Sequence, residues 1–166
     1  MAIKILPNKK TTGGDNIPGE IIKHCAEEMI KPLTKICNTI LRTKVWPTQW
    51  TRSVIIPLAK KGYLKGCSNY RTISLLSYQS KIMLRIMLNR IQLRLVALLT
   101  DEQAGFRKNR NTMDYVFNLG QITERYLEYN MNLFTAFIDF NQAFNRLWHE
   151  PLWHIMKLHH FPVNLV

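Results

Sequence analysis

The segment LFTAFIDFNQAFN, Leu133 to Asn145, sets one carboxylate in an apolar run, because seven of the eight residues from Leu133 to Phe140 are apolar or threonine and the eighth is Asp139. Burying an unpaired carboxylate costs several kcal/mol or forces it to take up a proton. Asp139 therefore needs a cation or hydrogen-bond donors. A cap on the following helix and a ligand for a divalent cation both meet that need. Two further groups could do chemistry. Lys60, Lys61 and Arg71 flank a glycine-containing loop; lysine supplies a point charge to phosphate and arginine a bidentate fork. Gln103, Phe106, Arg107 and Arg110 lie in a second basic loop, DEQAGFRKNRN.

Charge is distributed unevenly. Between Arg42 and Arg110 there are 14 Lys and Arg against two acids, Asp101 and Glu102, while the rest of the chain is balanced. A localised cationic field points to a polyanion partner, most simply nucleic acid. The three cysteines, Cys25, Cys37 and Cys67, form no CxxC pair and read as core residues in a reducing compartment. His149, His154 and His159 are five apart and rotate away from one another on a helix, which argues against a shared metal. No apolar run reaches the roughly 18 residues a membrane helix needs, and MAIKILPNKK does not read as a signal peptide. The expected location is intracellular, cytoplasmic or nuclear, and not secreted.

The elements that must hold these residues follow from periodicity. TTGGDNIPGE places Asp15 or Asn16 before a helix, with Pro18 near its first turn. Apolar spacing then predicts two short helices meeting near Lys31-Pro32, and WPTQW is a turn with two aromatic anchors. RSVIIPLA and RTISLLS read as strands able to form a hairpin, with Pro57 at an edge. Lys81 to Leu99 reads as a helix apolar on two faces, and so packed between layers. Thr112 to Tyr129 is a helix capped by Asn111 or Thr112, Leu133 to Phe140 a buried strand, and helical patterns resume after Asn141 and around Glu150 to His159.

GGDNIPGE, VIIPLAKKG, NYRTISLLS, DEQAGFRKNRNTMDYVF and AFIDFNQAF resemble, in order, successive blocks of the reverse transcriptase domain, above all that of retrotransposons lacking long terminal repeats. The resemblance covers nearly the whole chain. It implies an α+β fold, mostly helical with a short β-hairpin: the fingers of a right-hand polymerase plus the first palm strand, a truncated domain. Residues 1–132 would be the fingers-like region and 133–166 the start of the palm. The implied reaction is RNA-templated DNA synthesis by two-metal nucleotidyl transfer. The implied partners are an RNA template, a DNA primer and deoxynucleoside triphosphates. Asp139 matches the metal-ligating aspartate, with the carbonyl of Phe140 beside it, and the implied metal is Mg²⁺. Lys60 or Lys61 together with Arg71 would hold the triphosphate. Phe144 would sit beneath the sugar and reject a ribose 2′-hydroxyl. Gln103, Phe106, Arg107 and Arg110 would lie along the template.

The sequence also departs from that pattern. The family's second acidic block, an aromatic-x-Asp-Asp turn, has no counterpart after Phe140, where Glu150 is the one acid beyond Asp139. Asn145, Asn141, Thr72 and Gly14 differ from the residues members commonly carry there. The expectation is a polymerase fragment not active alone. The alternative is a catalytically dead, basic nucleic-acid-binding remnant or domesticated module.

Overall fold

The computed structural model describes residues 2–60 and 65–166, so Lys61 lies outside the described residues. It divides into two compact units, residues 1–91 with 162–166, and residues 92–161.

The first unit holds most of the core. Helix α1 spans Gly19–His24 and α2 spans Ala26–Thr43. Neither Asp15 nor Asn16 caps α1; Pro18 precedes it directly, and Asp15 Oδ1 instead accepts the Ile17 N–H. The break between the helices falls at Cys25, not at Lys31-Pro32 as expected, and α2 runs straight through Pro32. Pro32 is exposed, so the carbonyl freed one turn back can turn to water. Leu33, Cys37 and Ile40 form the buried stripe of α2 at helical spacing. Strands β1, Val54–Ala59, and β2, Tyr70–Leu75, pair antiparallel as an isolated hairpin, with Ile56 opposite Ile73 and Leu58 opposite Arg71. Pro57 is tolerated because β1 has one bonded edge.

Helix α3, Tyr78–Leu98, opens with the Ser77 hydroxyl accepting the Ser80 N–H. Its first turns carry the buried residues Tyr78, Ser80, Ile82 and Met83. One cluster joins Ile3, Leu6, Ile22, Leu33, Tyr78 and Ile82; another joins Cys37, Ile40 and Met83; Trp50 and Ile86 pack against both. Trp46 meets Trp50 edge-on at 6.5 Å, which matches the expected aromatic anchors of WPTQW. The two-layer packing expected for α3 is not found: Leu84, Leu88, Leu93, Val96 and Leu98 stay exposed. The buried residues of the helix all lie in its N-terminal half.

The second unit contains α4, Thr112–Glu128, and α5, His149–Leu158. Asn111 caps α4 as expected, and does so through a full capping box: its side chain accepts the Asp114 N–H, and Asp114 accepts the Asn111 N–H. Two expectations fail here. Residues 133–140 form no strand and are almost wholly exposed. Strand formation needs a partner edge, and among the described residues none pairs with this segment. After Asn141 there are turns, and helix returns only at His149. The cysteines also divide. Cys37 is buried, and burial pushes its thiol pKa up, whereas Cys25 and Cys67 are exposed and not core residues.

The glycines of GGDNIPGE have a packing reason. A Cβ on Gly13 would lie 2.5 Å from the Ser77 backbone nitrogen and 2.7 Å from the Leu76 carbonyl carbon, and one on Gly19 would lie 2.9 Å from the Tyr78 ring. A Cβ on Gly14 would make an ordinary van der Waals contact, with the Val54 side chain at 3.6 Å. Gly13→Ala is expected to lower stability by about 1–3 kcal/mol in urea denaturation, since backbone must move. Gly14→Ala should change it by less than about 1 kcal/mol; equal effects of the two would refute the packing argument.

Candidate functional site

The hairpin carries the first group of candidates. Lys60 follows β1 directly, and its N–H continues the ladder to the Asn69 carbonyl at 2.8 Å. Arg71 lies opposite Leu58. Side chains alternate along a strand, so Leu58 and Lys60 share a face, and Arg71 shares it with them. Lys60 and Arg71 are thus diagonal neighbours on one side of an exposed hairpin.

The second group sits on the loop before α4, and the sequence reading missed what holds it. The Tyr115 hydroxyl accepts the Ala104 N–H at 2.6 Å and donates to the Glu102 carbonyl. Arg107 donates to the Thr100 carbonyl at 2.7 Å, and both Arg107 and Arg110 approach Asp101 at 3.6 Å. Arg107 has a side-chain exposure of 17%, Arg110 of 42%. Arg107 is therefore partly engaged within the loop itself, while Arg110 remains available to an outside anion. The ion pairs are weak, because Asp101 is largely exposed and solvent screens it. The Glu102 carboxyl lies below the ordinary carboxylate range, held there by its own backbone N–H and then by the Thr100 hydroxyl. Gln103 folds back, its amide donating to the Gly105 carbonyl at 3.2 Å. The signal for Tyr115 in sequence was its place one turn inside a capped helix, but a phenol that reaches back 11 residues leaves no local pattern.

Phe106 has φ of 59° and is 95% exposed, an uncommon conformation for a bulky residue. Its ring meets Phe144 edge-on, with centroids 5.8 Å apart. The template-block aromatic and the sugar-gate candidate are thus brought together. Phe140 and Phe144 are each 76% exposed, and Asp139 is exposed on a segment without regular structure.

The donor set does not fit a pair of divalent cations. Mg²⁺ takes hard oxygen ligands in near-octahedral geometry, and two ions need at least two carboxylates. Among the described residues no three His, Cys, Asp or Glu side chains cluster where they could share a metal, and Glu150 is the one acid that follows Asp139 in the sequence.

The profile of the family described as reverse transcriptase (RNA-dependent DNA polymerase) matches residues 58–165. The chain belongs to the reverse transcriptase family. It is 36% identical over 154 residues to the probable RNA-directed DNA polymerase from transposon BS of Drosophila melanogaster, covering 91% of this chain and 17% of that protein. It is 30% identical over 155 residues to the RNA-directed DNA polymerase from mobile element jockey of the same organism, covering 92% of this chain and 17% of that one. A 149 kDa protein of transposon TX1 from Xenopus laevis is 23% identical over 160 residues. The placement among retrotransposons without long terminal repeats agrees with the motifs read from the sequence. The chain spans about one sixth of the length of the Drosophila melanogaster relatives named here. The mixed helical fold with a two-stranded hairpin is compatible with part of a reverse transcriptase domain. Among the described residues no helix is long and apolar enough to cross a membrane.

Tyr115→Phe deletes both hydrogen bonds of the loop clamp and leaves the Ala104 N–H without its acceptor. It is expected to cost about 1–3 kcal/mol and to speed amide exchange at Ala104 while α4 stays protected. Unchanged exchange at Ala104 would show that the clamp does not hold the loop.

Proposed function

We propose that this chain is the nucleic-acid- and nucleotide-holding part of a retrotransposon reverse transcriptase, and that it does not polymerise by itself. The observation that carries the reading is the register of the hairpin, which sets Lys60 and Arg71 on one face in two blocks that the family resemblance assigns to the triphosphate. On this reading residues 1–132 are fingers-like and 133–166 begin the palm. Lys60 and Arg71 engage the phosphates of a deoxynucleoside triphosphate, and Lys61, outside the described residues, is the alternative lysine. Gln103, Phe106, Arg107 and Arg110 follow an RNA template paired to a DNA primer. Phe144, edge-on to Phe106, limits the space beneath the sugar. Asp139 and the Phe140 carbonyl are part of a donor set for Mg²⁺ that this chain does not complete.

The lone, exposed Asp139 favours a second reading of the same surface, in which the chain binds nucleic acid and catalyses nothing. Both readings predict salt-sensitive, sequence-independent binding to the phosphate backbone. They part on activity within a longer polypeptide that supplies further carboxylates.

Primer extension on an RNA template with Mg²⁺ is expected to give no product from the 166-residue chain. Extension that disappears in Asp139→Ala would overturn the claim of dependence. Binding to an RNA–DNA hybrid should weaken steeply with salt. Replacing Arg71, Arg107 and Arg110 by Ala should lower the log–log salt slope by about 0.9 for each phosphate no longer neutralised. A slope that does not change would remove these residues from the interface.

A further inference from the structure

We infer that the solvent face of α2 is a second nucleic-acid surface, distinct from the hairpin and from the loop before α4. Lys31, Lys35, Asn38 and Arg42 lie at spacings of four, three and four, so they fall within about 60° of one another around the helix axis. The buried stripe of Leu33, Cys37 and Ile40 lies on the opposite side. Lys31, Lys35, Asn38 and Arg42 are all exposed, and a shallow depression of about 660 Å³ runs along them, with Thr34 and Thr39 at its sides. Among the described residues no ion pair engages Lys31, Lys35 or Arg42.

The linear charge count hides this surface. Lys31 and Lys35 fall in the balanced part of the chain, where Glu27 and Glu28 offset them. On the helix the two acids occupy the first turn, where the helix dipole favours them, and the cations continue toward the C-terminal end. The next cation, Lys44, is occupied, its Nζ donating to the Val163 carbonyl at 2.9 Å. The solvent face thus presents three cations outside any ion pair, separated by hydroxyl and amide donors. From Lys31 to Arg42 the axial distance is about 16 Å, which matches about five nucleotide steps of one strand in a duplex.

The chemistry selects the partner. A membrane surface would need a row of apolar side chains beside the cations, whereas Ile30 is the one apolar residue that lines the depression and the stripe of Leu33, Cys37 and Ile40 faces the core. Phosphate oxygens accept from lysine, arginine, threonine and asparagine alike, without regard to sequence. The inference rests on the reading that the chain binds nucleic acid, and adds where a further stretch of backbone runs.

The test uses the full chain and a short fluorescein-labelled RNA–DNA hybrid, titrated over a range of salt. Lys31→Gln/Lys35→Gln/Arg42→Gln is expected to lower the magnitude of the log–log slope by about two to three and to weaken binding at least about tenfold at physiological salt, with an unchanged far-UV CD spectrum. Glu27→Gln/Glu28→Gln is expected to tighten binding, since it removes like charge from the approaching phosphates. An unchanged slope in the triple variant, while Arg71→Ala still lowers it, would overturn this inference alone. No binding by the wild-type chain would overturn it together with the proposed function. Displacement of the hybrid by polyglutamate as readily as by unlabelled hybrid would mark α2 as a surface for acidic protein, and would overturn it too.

Discussion

The structure of the first unit depends on the placement of one buried side chain, Tyr78. It is fully buried at the start of α3, and its hydroxyl donates to the Lys10 carbonyl at 3.1 Å across 68 residues of sequence. The ring lies close against Gly19, where no side chain larger than hydrogen fits without movement. It also belongs to the cluster formed by Ile3, Leu6, Ile22, Leu33 and Ile82. One phenol therefore ties the N-terminal segment, α1, α2 and α3 together. Its burial pushes its pKa up, with the nearby Glu20 carboxylate adding in the same direction. The neutral phenol is then the form that the fold holds, and the contribution persists below the ordinary tyrosine pKa and is lost as pH rises through the raised one.

That anchor determines where the hairpin can be. β2 ends at Leu75, and Gly13 packs against the Leu76–Ser77 backbone immediately before Tyr78. The strand bearing Arg71 is thus held at its end by the contact that seats α3. The hairpin itself buries almost nothing: Val54, Ile55, Leu58 and Ile73 are all substantially exposed. An isolated two-stranded hairpin is marginal in water. Its position depends on the anchor at the base of β2.

What could be read in the sequence was local. The hairpin, the capped helix after Asn111 and the aromatic turn at WPTQW each follow from spacing within a few residues, and each is found. The family was legible because its blocks occur in order at compatible spacings. The features missed depend on distant partners. Residues 133–140 have strand composition, but composition supplies no edge to pair with. The residues Leu84, Leu88, Leu95 and Leu98 of α3 have helical spacing, but spacing does not say whether a layer covers them. Tyr115 reads as an ordinary helix aromatic until the loop folds back onto its hydroxyl. Within α2 a charge count along the chain likewise concealed that Lys31, Lys35 and Arg42 share one face, beginning one turn beyond Glu27 and Glu28.

Dependence on a distant partner also governs Asp139. Phe134, Phe137, Ile138 and Phe140 are each more than three quarters exposed around it. Covering one such side chain contributes about 1.5–3 kcal/mol, so any partner surface that pairs with this segment gains from the aromatics. Covering them also takes the carboxylate out of water, which disfavours its charged form by several kcal/mol unless a cation arrives with the cover. A partner that offers apolar surface alone is penalised at Asp139, whereas one that brings further carboxylates and a divalent cation satisfies both demands together. The aspartate thus discriminates between covers: the apolar residues favour association, and the single charge limits which association is stable. That coupling lets a carboxylate persist in so apolar a segment, because only a cover that also supplies a cation or hydrogen-bond donors leaves it charged at low cost.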